Sequence, residues 1–194
     1  MLDLPPIPKT LKDEYINLIV DIKSSKISDI EFLKKIYEYL DKYNKFVKTF
    51  TKCKQSCGYC CDIPVGITLI EAEYIKTNNK KLKINTQYIH PLKIIENQKS
   101  KKYFGKCPFL NPQNDCSIYK ERPFACRTFH SIDGPEGCKD KDSNHNIYGT
   151  QDPKSMALGK VNLGSDILNA LFMIIVKRNK NNTVKDIKDF FPSK

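Results

Sequence analysis

The chain contains no long apolar run. Its most hydrophobic stretch, Ala170-Leu-Phe-Met-Ile-Ile-Val176, falls well short of the about 20 residues a helix needs to cross a bilayer, which predicts a protein with no transmembrane segment. Its first residues, Met1-Leu-Asp-Leu-Pro-Pro-Ile-Pro8, have neither the basic n-region nor the apolar h-region of a secretory signal, and a reducing, cytoplasmic setting is expected. Arginine is scarce as well. Of 33 basic residues only Arg122, Arg127 and Arg178 are arginine, so the net charge of +11 is written in lysine. A nucleic-acid face usually pairs a basic stripe with specific arginine contacts; here the charge reads first as a solvated surface, and nucleic acid is not the favoured partner. No glycine-rich loop for a nucleotide or S-adenosylmethionine is visible, no acid/base pair stands out, and no internal repeat is present. The sequence therefore assigns no reaction and no catalytic residue.

Cysteine, by contrast, is concentrated. Seven of eight cysteines lie between positions 53 and 126, as Cys53, Cys57, Cys60 and Cys61, then Cys107, Cys116 and Cys126, with Cys138 beyond. Short spacings on loops suit thiolates gathered around a cation. Three other readings stand beside this one. Disulfides are disfavoured by the expected compartment. Burial as small apolar residues explains Cys138 well and the cluster badly. A catalytic thiol lacks an evident histidine partner. His130, four residues after Cys126, is a candidate to complete a Cys3His shell, though a single such histidine is more often a neighbour than a ligand. His90 and His145 sit in polar stretches and read as solvated.

The length suits one ordinary core, and a single domain over 1–194 is expected. Leu11, Tyr15, Leu18, Ile19 and Ile22 recur at helical period after a proline-rich lead. A second helix begins at Ser28, with Glu31 placed for a capping box, and carries Ile30, Leu33, Tyr37, Leu40, Asn44, Val47 and Phe50 on one face. Residues 1–52 thus predict an antiparallel helical hairpin. Residues 53–138 form a cysteine core in which Thr68-Leu-Ile-Glu71 repeats the capping signature and starts a helix to about Lys76. Inside it, residues 76–102 hold eight lysines against one acid, Glu96, a surface for an acidic partner or else a loose insertion. A short helix is expected near Leu92–Gln98. In 139–194, the run to about Pro153 reads as irregular, an apolar helix follows over residues 165–176, and a last short helix covers residues 183–191. The fold class is mainly α: a small helical domain around a cysteine-rich, loop-borne metal site.

The run Cys57-Gly-Tyr-Cys60-Cys61, then Pro64-Val-x-Ile-Thr68-x-x-Glu71-Ala72, then Gly105-x-Cys107-Pro-Phe-Leu110, then Cys116-x-Ile-Tyr119-x-x-Arg122-Pro123-x-x-Cys126-Arg127-x-Phe129 resembles the YkgJ-type cysteine-cluster proteins, zinc- or iron-chelating domains with a CxxCxxCC signature. The resemblance covers roughly residues 53–130. The flagellin lysine N-methylases share the module within a larger protein. What the resemblance implies is metal or iron–sulfur binding, not one reaction. Three residues separate Cys53 from Cys57 where the signature has two, so Cys53 departs from it.

The expected ligands are Cys53, Cys57, Cys60, Cys61, Cys107, Cys116, Cys126 and Cys138. Adjacent Cys60 and Cys61 point in different directions along extended backbone, so both binding one ion terminally is awkward. Soft thiolates suit zinc and iron alike, and the dense, asymmetric spacing leans toward an iron–sulfur cluster over Zn2+. Four thiolates leave about −2 on either centre. Arg122 and Arg127, flanking Cys126, are the expected counter-charges, with pairing to a helix carboxylate such as Glu71 as the competing role. Two function classes stay open. One is a metalloprotein with a redox or protein-modifying role; the other is a structural zinc module that binds a protein or nucleic-acid partner through its lysines.

Overall fold

Pro8 and Ser28 set where the first two helices begin. The computed structural model describes residues 3–53, 56–99, 105–139, 146–150, 161–179 and 184–192; His145 and the last lysines of the 76–102 segment lie outside the described residues. Pro8 stands at the N-cap of α1 (Lys9–Ser24), and the Ser28 hydroxyl accepts the Glu31 N–H at 3.2 Å to start α2 (Asp29–Val47). The two run antiparallel, since Lys42 pairs with Glu14 and Lys35 with Asp21, each at 2.8 Å, and the Tyr39 hydroxyl donates to the Leu11 carbonyl at 3.1 Å. The ion pairs are exposed and contribute little. Burial holds the pair together: Leu33, Ile36, Leu40, Tyr43 and Val47 are fully enclosed. The buried arc is wider than the stripe expected from periodicity, taking in Phe32, Ile36, Tyr39 and Tyr43; Tyr148 bonds Tyr43 and packs edge-on against Phe50, just past the helix.

Two compact units result. The first joins Met1–Cys53 to Arg127–Ile174, and the second joins Lys54–Cys126 to Ile175–Lys194. The sequence blocks 1–52, 53–138 and 139–194 are thus distributed differently from a simple succession: residues 127–138 go with the hairpin, and residues 175–194 with the cysteines.

In the first unit, β2 (His130–Ser131) pairs antiparallel with β3 (Asn146–Gly149), and β3 pairs parallel with β4 (Val161–Gly164). The strand at residues 146–149 replaces the irregular stretch expected there. Its register is held at Gly149, where a Cβ would stand 2.2 Å from the Thr128 carbonyl oxygen, so only glycine admits the approach. A short helix, α6 (Pro135–Lys139), follows β2, and α7 (Asp166–Arg178) carries the apolar run of the C-terminal half.

In the second unit, a 3-10 turn over Tyr59–Asp62 leads to β1 (Gly66–Thr68) and α3 (Leu69–Asn78). The reciprocal box expected at Thr68 is complete: Thr68 Oγ1 accepts the Glu71 N–H, and Glu71 Oε2 accepts the Thr68 N–H at 2.8 Å. Helix α4 spans Pro91–Lys99, and α5 is the single turn Phe124–Arg127. Residues 183–191 correct the sequence expectation of one helix. They form β5 (Val184–Asp186), antiparallel to β1, then the one-turn α8 (Ile187–Phe190). The residues are indifferent locally, and the partner strand decides the conformation. Residues 79–87 are fastened down. Leu82 and Ile84 pack against the unit's core between exposed Lys81 and Lys83, the Asn85 N–H donates to Phe190 O at 2.9 Å, and Lys185 Nζ donates to Gln87 O.

Candidate metal centre

Cys60 and Cys61 lie in the 3-10 turn, and the second cysteine loop is sewn directly onto it. The Cys107 N–H donates to Cys61 O at 2.9 Å, and Gly105 N–H to Asp62 O at 3.0 Å. Gly105 adopts φ +122°, a conformation that favours glycine, which explains the Gly105-x-Cys107 spacing. Gly58 faces the same loop: a Cβ there would meet Leu110 Cδ1 at 3.1 Å and Asn114 Cβ at 3.3 Å. Ser56 Oγ donates to Asp115 Oδ1, and Asn111 Oδ1 accepts the N–H groups of Gln113 and Asp115, turning the chain so that Cys116 bridges back to Leu110. Cys126 arrives on α5, whose first residue, Phe124, donates its N–H to Glu71 Oε1 at 2.8 Å. Glu71 therefore serves the start of α3 with one oxygen and the approach to Cys126 with the other.

These loops bring thiols together at the edge of an apolar bed. Cys107, Cys116 and Cys126 pack against the cluster of Val65, Ile67, Ile75, Phe109, Ile118 and Ile187. Burial pushes the Cys107 thiol up to about 11 and raises Cys116 and Cys126 as well, with Cys61 and the neighbouring sulfurs adding to the effect. Cys61 moves the other way, because the Cys60 thiol bonds to it. These are half-buried thiols whose ionised forms would repel one another.

The chemistry of the donors fits zinc or iron; the spacing is not that of a closed shell. Among the described residues, no three or more His, Cys, Asp or Glu side chains stand grouped to hold a metal ion. No disulfide joins any two of the eight cysteines. Cys57 lies in the same unit as the five interacting thiols, whereas Cys53 and Cys138 belong to the first unit. There the Cys53 sulfur accepts the Ser131 N–H at 3.0 Å, and Cys138 is buried on α6.

The two arginines beside Cys126 part company. Arg122 lies over the Tyr119 ring, 4.0 Å from its centroid, and its charge favours the thiolate forms of Cys61, Cys116 and Cys126. Arg127 is buried in the first unit, where Nη1 bonds Asp41 Oδ1 at 2.9 Å and the guanidinium covers the Tyr37 ring at 4.3 Å. The carboxylate partner is Asp41 rather than the Glu71 considered from the sequence. His130 is also buried in that unit, with Nε2 at 2.9 Å from Asn44 Oδ1, while Asn44 Nδ2 donates to Arg127 O. Lys188 of α8, not singled out from the sequence, carries a charge that slightly favours the thiolate forms of Cys61 and Cys107. Its only sequence signal is its place just after the strand that meets β1.

A family model described as "CxxCxxCC: Putative zinc- or iron-chelating domain" matches residues 52–153, more than half of the chain. No curated protein and no solved structure matches it.

Proposed function

Because the chain belongs to the CxxCxxCC family of zinc- or iron-chelating domains, we propose that it holds a thiolate-bound metal centre on Cys57, Cys60, Cys61, Cys107, Cys116 and Cys126. One observation carries the reading: the Cys107 loop is hydrogen-bonded to the turn that holds Cys60 and Cys61, and Cys107, Cys116 and Cys126 pack against one apolar cluster of the same unit. Six sulfurs exceed one tetrahedral shell, which suits an iron–sulfur centre or more than one ion. Bound there, zinc would lock the loops, and an iron–sulfur cluster would add one-electron transfer. The chain's own residues exclude water through Phe109 and Ile118, orient Cys107 and Cys126 through Cys61 O and Glu71, and offset negative charge with Arg122. A redox role, or a share in protein modification of the kind the flagellin lysine N-methylases perform, is the function this chemistry supports.

A second reading, a structural zinc module for an acidic partner, is favoured by the fastened segment that presents Lys81 and Lys83 outward between Leu82 and Ile84. Anaerobic purification with elemental analysis and a visible spectrum separates the two: iron with a chromophore supports the redox reading, colourless zinc the structural one. Cys126→Ser should lose the metal and Cys138→Ser should keep it. Absence of both metals, with every thiol titratable in the native protein, would refute the centre.

A further inference from the structure

Between α3 and α4 the chain runs from Leu82 to His90 without turn, bend or helix. It is nonetheless tied down. Leu82 and Ile84 pack on the cluster that contains Ile187 and Phe190, and the Asn85 N–H donates to Phe190 O at 2.9 Å. Gln87 O accepts the ammonium of Lys185, a residue only 5% exposed whose Nζ lies 4.9 Å from the Phe190 ring centroid. The rest of the segment is open. The backbone N–H groups of Lys83, Ile84, Thr86 and Tyr88 donate to no acceptor among the described residues. Lys80, Lys81 and Lys83 are exposed and meet no carboxylate among them. Tyr88 is 67% exposed, and Leu92, at the start of α4, 64%.

An unpaired backbone edge is a template for another strand, and lysines along it are one guard against indiscriminate pairing. A guard has no use for a tyrosine and a leucine left in water within the same segment, and a backbone already fastened lowers the ordering cost of binding. We propose that residues 80–92 form a docking edge for an extended, acidic segment of a partner protein. That segment adds as a strand along residues 82–88, sets its carboxylates against Lys80, Lys81 and Lys83, and covers Tyr88 and Leu92 with apolar side chains. Backbone bonds then supply affinity, and alternate side chains supply selection. Side chains two residues apart on extended chain stand about 7 Å apart, so Lys81 and Lys83 match alternate acidic residues of the added strand. The segment has no arginine and a single tyrosine, a poor platform for nucleic acid, whose single strands are held by stacked aromatics as well as charge. One tyrosine and one leucine are also too small an apolar face for a bilayer surface. The inference rests on the acidic-partner reading above and names how that partner binds.

The test is fluorescence anisotropy of the full chain with a labelled peptide of alternating glutamate and valine. Wild type should bind it, more weakly as salt rises. The combined variant Lys80→Gln, Lys81→Gln and Lys83→Gln should lose about tenfold in affinity, the sum of three modest surface pairs. The combined variant Lys12→Gln, Lys23→Gln and Lys26→Gln removes the same charge from exposed sites of the first unit and should match wild type. The same peptide with its backbone N-methylated throughout keeps its carboxylates, loses its strand-pairing N–H groups and should not bind. Far-ultraviolet circular dichroism confirms that the variants fold. A methylated peptide that binds as tightly as the plain one, with the Lys80, Lys81 and Lys83 variant still impaired, overturns strand addition and leaves the acidic-partner reading standing. Equal binding by that variant and wild type, no binding by wild type, or tighter binding of polyuridylate or of phosphatidylserine vesicles overturns both.

Discussion

The first unit is built from long elements and closed polar networks, and the second from short elements and thiols. On α2, regular apolar spacing buries a continuous face, and the polar groups among it are satisfied within the unit: Tyr43 and Tyr148 share a hydrogen bond of 2.6 Å, Asn44 joins His130 to Arg127 O, and Arg127 meets Asp41. Burial raises the pKa of both tyrosines, so the pair stays protonated across the physiological range. The second unit has a three-residue strand pair, a 10-residue helix and loops, with Cys107, Cys116 and Cys126 partly buried where a self-sufficient core would carry larger apolar side chains. The difference teaches that one unit closes its core with regular helical packing and satisfied polar groups, whereas the other leaves half-buried thiols at the edge of its core.

Three substitutions test that contrast. Leu40→Ala removes a fully buried side chain of α2 and should lower stability by about 2–5 kcal/mol in chemical denaturation, with the metal-to-protein ratio unchanged; a loss of metal would break the separation. Glu71→Gln should cost about 1–3 kcal/mol, since one carboxylate serves both Thr68 and Phe124. Unlike Leu40→Ala, it should also weaken metal retention, because Phe124 sits two residues before Cys126; retention equal to wild type would sever that link. Arg127→Ala should cost about 1–2 kcal/mol, chiefly the cation–π contact with Tyr37, since Asp41 is 63% exposed and its ion pair is screened. Metal retention should stay at the wild-type level. A drop in chelator competition, rescued by Arg127→Lys, would return Arg127 to the centre and blur the contrast.

The helical hairpin was legible because its determinants are local. Ser28 and Glu31, the period of Leu33, Tyr37, Leu40, Asn44 and Val47, and the Thr68–Glu71 box all act within a turn or two of chain. The cysteine cluster, within the family match over residues 52–153, was legible for the same reason, since its spacing is local. The strands were not. Asn146–Gly149 and Val184–Asp186 carry weak propensity, and they become strands only against β2 and β4, and against β1. Adjacency to Cys126 says nothing about where α5 aims the Arg127 guanidinium, which bonds Asp41. The lysine-rich segment read as a surface or a loose insertion; within it, residues 79–87 are fastened to the core through Leu82 and Ile84.

By itself, then, the sequence determined a mainly helical chain, with no helix among the described residues long and apolar enough to cross a membrane, and a cysteine cluster of zinc- or iron-chelating type. Tertiary structure alone decided that the Cys107 loop is hydrogen-bonded to the turn of Cys60 and Cys61, that Glu71 holds the turn before Cys126, and that Arg127 bonds Asp41 while Arg122 lies over Tyr119. The physical reason is range. Periodicity, capping and metal-ligand spacing act over a few residues and are written in order along the chain, whereas strand pairing and electrostatic balance join groups whose separation in sequence carries no information about their distance in space.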